Sequence, residues 1–457
     1  MTKNVAHDGF EPVGSPAGHA ERARASQPVA YYRFKPWNIG RVLIWTLFAV
    51  GLIVAPLIFR SSLALTMLSQ IGYLAIICLS YNILLGQGGM LSFGHAVYTG
   101  MGAFIAVHAM NLATKGAVPL PLVTIPLVGG LAGAGFAILL GYVTTKKSGT
   151  TFAMITLGIG ELVAAMSLMF PGFFGGEGGV TTNRVYGTPF LGLTFGPQIQ
   201  VYYLIAAYCF VSTALMFAFT GTPLGRMLNA VRDNPERVEF IGYDTQWVRY
   251  LAFIIAGFFA GIGGALASIN FEIVNSSDSL STIRSGGYLL FTFLGGATFF
   301  FGPMIGAVLL VLASVLLSEL TKAWLLYLGL VFLFMVMFAP GGIASLIMMN
   351  LRVARFGKFH RLWGLYGALV LTGAVMVVGA AALVEMIYHM QLNAALGPKL
   401  NFMGVELDTS SVASWAGAAA LLVVGVALVE AVRRRFVAVW GHAQEEIELE
   451  VKRRETA

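Results

Sequence analysis

Ten stretches of this chain are each long and apolar enough to cross a lipid bilayer. They lie at about 42–59, 62–85, 90–110, 121–143, 151–170, 200–219, 248–270, 324–349, 363–388 and 412–432. A helix needs about 20 apolar residues to span ~30 Å of hydrocarbon. Composition agrees: 57% of the 457 residues are hydrophobic and 11% are charged, against about 25% charged in soluble domains. One water-soluble core cannot absorb that much apolar surface, because single cores stop growing near ~250–300 residues. The 55 glycines fit a membrane bundle, where small residues let helices approach closely. The predicted fold is therefore an all-α polytopic membrane helix bundle.

Loop charge orients the spans. Lys/Arg-rich connections are 1–41, Lys146–Lys147, 221–249, 350–362 and the tail from Arg433; the poor ones are 171–199, 271–287 and 389–411. With the basic loops inside, 271–287 and 319–323 both fall outside, so 288–318 must enter and return. It reads as two short crossings or a re-entrant hairpin broken at Gly302-Pro303. This gives about ten core segments and a C-terminal two-helix extension, with both termini inside. The expected organisation is a disordered N-terminal tail over 1–41, a transmembrane domain over 42–350, a basic linker and extra hairpin over 351–432, and a charged tail over 433–457. The +7 net charge is topological: basic residues sit in short loops and tails, and no aromatic-plus-basic pattern suggests nucleic acid.

Three segments suggest mechanism. In 221–249, Leu224, Met227, Leu228 and Val231 recur as one face of an amphipathic helix, with Arg226, Asn229, Arg232 and Asp233 opposite. Asn234-Pro235 interrupts it. Pro235 opens a second short helix with Glu236, Arg237 and Glu239 outward, and Val238, Phe240 and Ile241 inward; Gly242 ends it. Such a rigid, mixed-charge pair could fill a partner's groove or lie on the membrane. The second segment, 86–104, packs six glycines around Gln87, Ser92, His95, Tyr98 and Thr99. Its small residues permit close helix contact, and its polar groups could line a route; His95 could equally bond a neighbouring backbone. The third is Glu161, an acid well inside an apolar span and so a functional candidate. Glu319, Glu385 and Glu430 lie nearer span ends, where reaching to the interface suffices. Cys78 and Cys209 form no metal spacing and read as small buried hydrophobes. No phosphate-binding loop, catalytic motif or metal-ligand cluster is present in the sequence, so no catalytic, metal or cofactor role is expected.

Read together, these segments resemble the permeases of branched-chain amino-acid ABC importers, specifically the longer sister permease, of LivM type. Gly89–Ala96 is similar to the family's Gly-Gln-x-Ser-Phe-Gly-His-Ala run, with Met90 in place of Gln. Thr156–Glu161 matches its Thr-Leu-x-x-Gly-Glu run, and Gly225-Arg226, Ala230–Asn234 and Gly242 its cytoplasmic signature. Leu251–Leu266, Leu294–Ala307 and Ala339–Gly342 look like the family too, so the resemblance covers about 62–350. It departs at Pro235, where an acid is usual, and in the extension over 363–432.

The resemblance implies a permease in the bacterial inner membrane. It would work with a LivH-like sister permease, two cytoplasmic ATPases that bind the ATP, and a periplasmic solute-binding protein. Leu224, Gly225, Arg226, Arg232, Asp233, Asn234, Glu236 and Gly242 would form the ATPase-coupling loop. Ser92, His95, Tyr98 and Glu161 are candidates for the substrate pathway. The cargo would be branched-chain or related amino acids, with urea, short amides or aromatic acids as the alternative. A secondary transporter or channel would keep the same spans. It would usually want an intramembrane ion relay, for which Glu161 is the one well-placed acid. A membrane enzyme would need clustered His, Asp or Glu near an interface, and none stands out.

Overall fold

A computed structural model describes residues 39–186, 192, 194–392, 397–402 and 404–456. The tail expected over 1–41 lies outside them as far as residue 38. The chain divides into two units, Met1–Gly51 and Leu52–Ala457. Residues described in the first belong to helix α1, Ile39–Ile58, whose Trp45 and Phe48 rings meet edge to face.

The second unit is a helical bundle. In chain order it contains α2 (Ser62–Asn82), α3 (His95–Thr114), α4 (Ile125–Thr144), α5 (Gly149–Met169) and α6 (Gln198–Gly221). Two short helices follow, α7 (Pro223–Asp233) and α8 (Pro235–Phe240), and then α9 (Thr245–Phe271). α10 (Thr282–Gly295), α11 (Gly302–Val311), α12 (Trp324–Phe338) and α13 (Gly342–Arg355) complete the core. α14 (His360–Leu392) and α15 (Val412–Thr456) form the extension. Eight described helices are long and apolar enough to span a membrane; the pair α12 and α13, bent by 49°, passes the same test only when taken together. The fold is an all-α polytopic bundle. Its described strands form two small antiparallel pairs: β1 (Val180–Thr181) with the distant β2 (Ile273–Val274), and the hairpin of β3 (Lys399–Phe402) with β4 (Val405–Asp408).

The burial pattern is the reverse of a soluble protein's. Leu131, Leu139, Met154 and Leu162 are 68%, 68%, 69% and 62% exposed, while Ser80, Asn82, His95 and Thr99 are buried. Such an apolar belt is tolerated in lipid and aggregates in water. Close approach through glycine builds the centre. A Cβ on Gly261 of α9 would strike the Gly129 carbonyl of α4, and one on Gly102 of α3 would lie 2.5 Å from the Gly261 Cα. In 86–104, a Cβ on Gly88, Gly89, Gly94, Gly100 or Gly102 would lie 2.9 Å or less from a neighbouring atom.

Four boundaries differ from expectation. The span expected from 90 begins at His95, because Gly88–Gly94 forms an irregular turn with Gly89 at φ +62°. Across 288–318 the chain folds back on itself, since a Cβ on Gly295 would strike the Gly302 carbonyl and one on Gly306 the Phe291 carbonyl. Its break falls at 296–301, not at Gly302-Pro303. Pro303 occupies the first turn of α11, where a missing N–H has no consequence. The run 324–349 is two helices rather than one, divided at Ala339–Gly341, with Pro340 at the bend. The tail from Arg433 continues α15 without interruption to Thr456. Its Phe436, Val439, Trp440 and Val451 pack on the buried cluster Val353, Leu362 and Ile447.

Candidate functional site

Local sequence signals build the α7–α8 pair. Thr222 caps α7 by accepting a hydrogen bond from the Gly225 N–H (3.2 Å), and Pro223 follows in the first turn. Asn234 ends α7 in an extended conformation and caps α8, its Oδ1 accepting from the Arg237 N–H (3.0 Å). Gly242 supplies the left-handed turn that ends the pair, at φ +89°. Leu228, Val231 and Val238 face inward as expected. Phe240 and Ile241 do not; they are 88% and 66% exposed. A six-residue helix has too few turns for an apolar pattern to fix its buried face.

The polar side of α7, expected to face away from the bundle, instead bonds to a specific corner of it through Asn229 and Arg232. After Asn82, α2 continues as a π-helical turn, Ile83–Gln87. Arg232 of α7 donates from Nη1 to the Gly86 carbonyl, and Asn229 donates from Nδ2 to Gln87 Oε1 (2.8 Å). The Arg232 stem crosses Gly89, where a Cβ would lie 2.8 Å from the Arg232 Cγ. A Cβ on Gly86 would in turn collide with the Ala297 carbonyl, in the break between α10 and α11. Gly296, at φ +114°, faces the Gly341 carbonyl and Ala344 beyond the α12–α13 bend. Thus α7 touches the π-turn, the π-turn touches the hairpin tip, and the tip touches the bend. All three irregular backbones meet at one end of the bundle. π-Helical turns within α-helices are often found at functional sites.

A buried polar layer lies deeper. Ser80 Oγ donates to the Ile77 carbonyl (2.7 Å) and lies 2.9 Å from His95 Nε2. Having one proton, already given to Ile77, the Ser80 hydroxyl accepts from Nε2–H. His95 Nδ1 then has no partner among the described residues, nor does Ser92 Oγ. The Tyr81 hydroxyl donates to the Ser92 carbonyl (2.8 Å) and accepts from its N–H (3.2 Å). Tyr98 packs edge to face on Phe253 and His95. Ser92, His95 and Tyr98 therefore belong to one cluster between α2 and α3. Glu161 does not join them. It lies exposed on α5 and accepts a hydrogen bond from the Thr282 hydroxyl at the start of α10.

The opposite end of α9, a helix of 27 residues and so about 40 Å long, borders a cavity of ≈ 320 Å³. Leu74, Ile77 and Ala103 form an apolar wall, and Tyr73, Thr99 and Tyr288 supply hydroxyls. Arg284 and Asp278 also line it, paired with each other through Nη2 and Oδ2. The loop above is held in place by Glu272, which ends α9 in the left-handed region at φ +57°. Its carbonyl accepts from the Thr182 N–H (2.9 Å) and its carboxylate from the Arg184 N–H (2.9 Å). Of the cavity's polar residues, sequence reasoning singled out Thr99 and missed Tyr73, Asp278, Arg284 and Tyr288. The available signal was that Glu272, Asp278 and Arg284 are the only charges in 271–287, a loop otherwise neutral. No group of three or more possible metal ligands occurs among the described residues.

Over residues 63–340 the chain matches the family model described as branched-chain amino acid transport system, permease component. It is 25% identical over 302 residues to the high-affinity branched-chain amino acid transport system permease protein LivM of Escherichia coli strain K12, covering 61% of this chain and 69% of that protein. The LivM protein of Salmonella typhimurium strain LT2 matches to the same extent. No solved structure matches the chain.

Proposed function

The chain belongs to the family of branched-chain amino acid transport permeases, a transport component and not an enzyme class, and from that premise we propose that it forms half of the membrane pathway of an ABC importer. Its partners would be a sister permease, two cytoplasmic ATPases and a periplasmic solute-binding protein, in a bacterial inner membrane with both termini cytoplasmic. ATP would bind to the ATPases alone. The cargo would be a branched-chain or related small amino acid.

The observation that carries this reading is the bonding of α7 to the π-turn. The coupling loop would comprise Leu224, Gly225, Arg226, Arg232, Asp233, Asn234, Glu236 and Gly242. Phe240 and Ile241 project from the end of α8 and offer an apolar anchor that an ATPase groove could cover. Closure of the ATPases on ATP would shift α7 and α8. Arg232 and Asn229 would carry that shift to Gly86 and Gln87, and the π-turn to the α10–α11 tip. The π-turn is bonded i→i+5 where the rest of α2 is bonded i→i+4, and a change between those two patterns would be the step that nucleotide biases.

The test is Arg232→Glu in the assembled transporter. Glutamate has acceptors only and faces the Gly86 carbonyl without a bond. Losing a charged hydrogen bond is worth ~1.5–3 kcal/mol, so ATP-driven uptake should fall by about tenfold or more while the amount of chain in the membrane stays constant. Uptake equal to the parent's would remove the coupling role.

A further inference from the structure

We propose that the cavity at the far end of α9 is a site for a small zwitterion, with Arg284 on its carboxylate, Asp278 on its ammonium, and Leu74, Ile77 and Ala103 against an apolar side chain. The inference rests on the chain being a permease. It decides which of the family's cargo classes the cavity fits.

Charge carries the argument. Arg284 projects from the first turn of α10 and its side chain is 39% exposed; that of Asp278 is 58% exposed. Among the described residues the guanidinium has one acceptor, Asp278, although it carries five N–H donors. Ser281 fixes the turn between the two, accepting from the Arg284 N–H (3.2 Å) and donating to the Asp278 carbonyl (3.1 Å). An ion pair that water reaches contributes little to a fold, so stability does not account for placing this one in a cavity wall. An amino acid inserted here would give each charge a second partner of opposite sign. Urea and short amides have no net charge to satisfy either group. An aromatic acid would satisfy Arg284 and set its carboxylate against Asp278.

Size agrees. A cavity of ≈ 320 Å³ lies at the low end of the ~300–1,000 Å³ usual for small-molecule sites, and suits a single amino acid. The apolar wall and the charged pair come from different elements. The wall belongs to α2 and α3; Asp278 precedes α10 and Arg284 opens it. A movement of the α10–α11 hairpin would therefore separate the charges from the wall. That hairpin reaches the π-turn at its other end.

Saturation-transfer NMR on the full chain in lipid nanodiscs reads this binding, with L-leucine, isoamylamine, isocaproate and urea as probes at millimolar concentration. L-Leucine should show transfer that excess deuterated L-leucine abolishes, and the other three should show none. Arg284→Gln and Asp278→Asn should each weaken binding by about tenfold or more, as expected for loss of a charged partner. No transfer to L-leucine, equal transfer to the amine or the acid, or parent-like binding in folded forms of both variants would overturn the site. The probe comparison uses the parent chain, so it decides between these outcomes even where a variant fails to fold. ATP-driven uptake by a parent chain that binds no leucine would overturn the site and leave the importer standing. Leucine binding by a chain whose assembly shows no ATP-driven uptake would do the reverse.

Discussion

His95 shows how much one buried side chain can constrain. Its Nε2–H is held by Ser80, whose own proton goes to Ile77. Removing the Ser80 hydroxyl leaves a buried donor without a partner, so Ser80→Ala should lower stability by about 1–3 kcal/mol, read as a shift in the thermal midpoint of the purified chain. An unchanged midpoint would mean that another acceptor replaces it. Glu161 invites the opposite expectation. It accepts from Thr282 on an exposed face, and glutamine keeps an acceptor oxygen there. Glu161→Gln should leave uptake unchanged; abolished uptake would point to proton coupling through that carboxylate. The glycine-rich composition of 86–104 was enough to single out Ser92, His95 and Tyr98, because polar groups in an apolar span are conspicuous. Arg284 and Asp278 were not conspicuous. They sit in a segment that reads as an exterior loop, and only the return of α10 against α2 and α3 brings them into a cavity.

Among the elements, the central trio of α3, α4 and α9 is held by backbone proximity rather than by side-chain volume. A Cβ on Gly261 would overlap the Gly129 carbonyl, and backbone cannot rotate away as a side chain can. Gly261→Ala should therefore destabilise the bundle by about 1–3 kcal/mol through overpacking, seen as a lower melting midpoint in detergent. The α7–α8 pair was legible because its signals are local: Thr222, Pro223, Asn234-Pro235 and Gly242 each act within a few residues. The outward turn of Phe240 and Ile241 was not, since it depends on how a single turn meets α7 and α9. The α10–α11 return followed from loop charge. Its break at 296–301 did not, because Pro303 both ends helices and begins them, and here it stands in the first turn of α11.

At the scale of the molecule, the extension is fastened to the core at both ends. Glu385 of α14 accepts from the Thr321 and Tyr327 hydroxyls, a fixed link between helices where its place near a span end suggests only a reach to the interface. At the other end Tyr366 donates to Asn350 of α13, and Lys358 of the linker pairs with Glu446 of α15. None of the extension's described residues lines the cavity. Truncation after Asn350 should accordingly leave a chain that inserts, assembles and transports; failure to assemble with the ATPases would make the extension integral to the core. Central to the proposed function is that ATP bound by partner subunits, and no ion gradient, drives cargo past this chain. Uptake of labelled L-leucine into proteoliposomes holding the co-purified assembly tests it directly. The expected result is uptake that requires ATP on the α7 side, needs the solute-binding protein on the other, and persists when ionophores collapse every gradient. Uptake that proceeds without ATP and stops when the gradients collapse would contradict it.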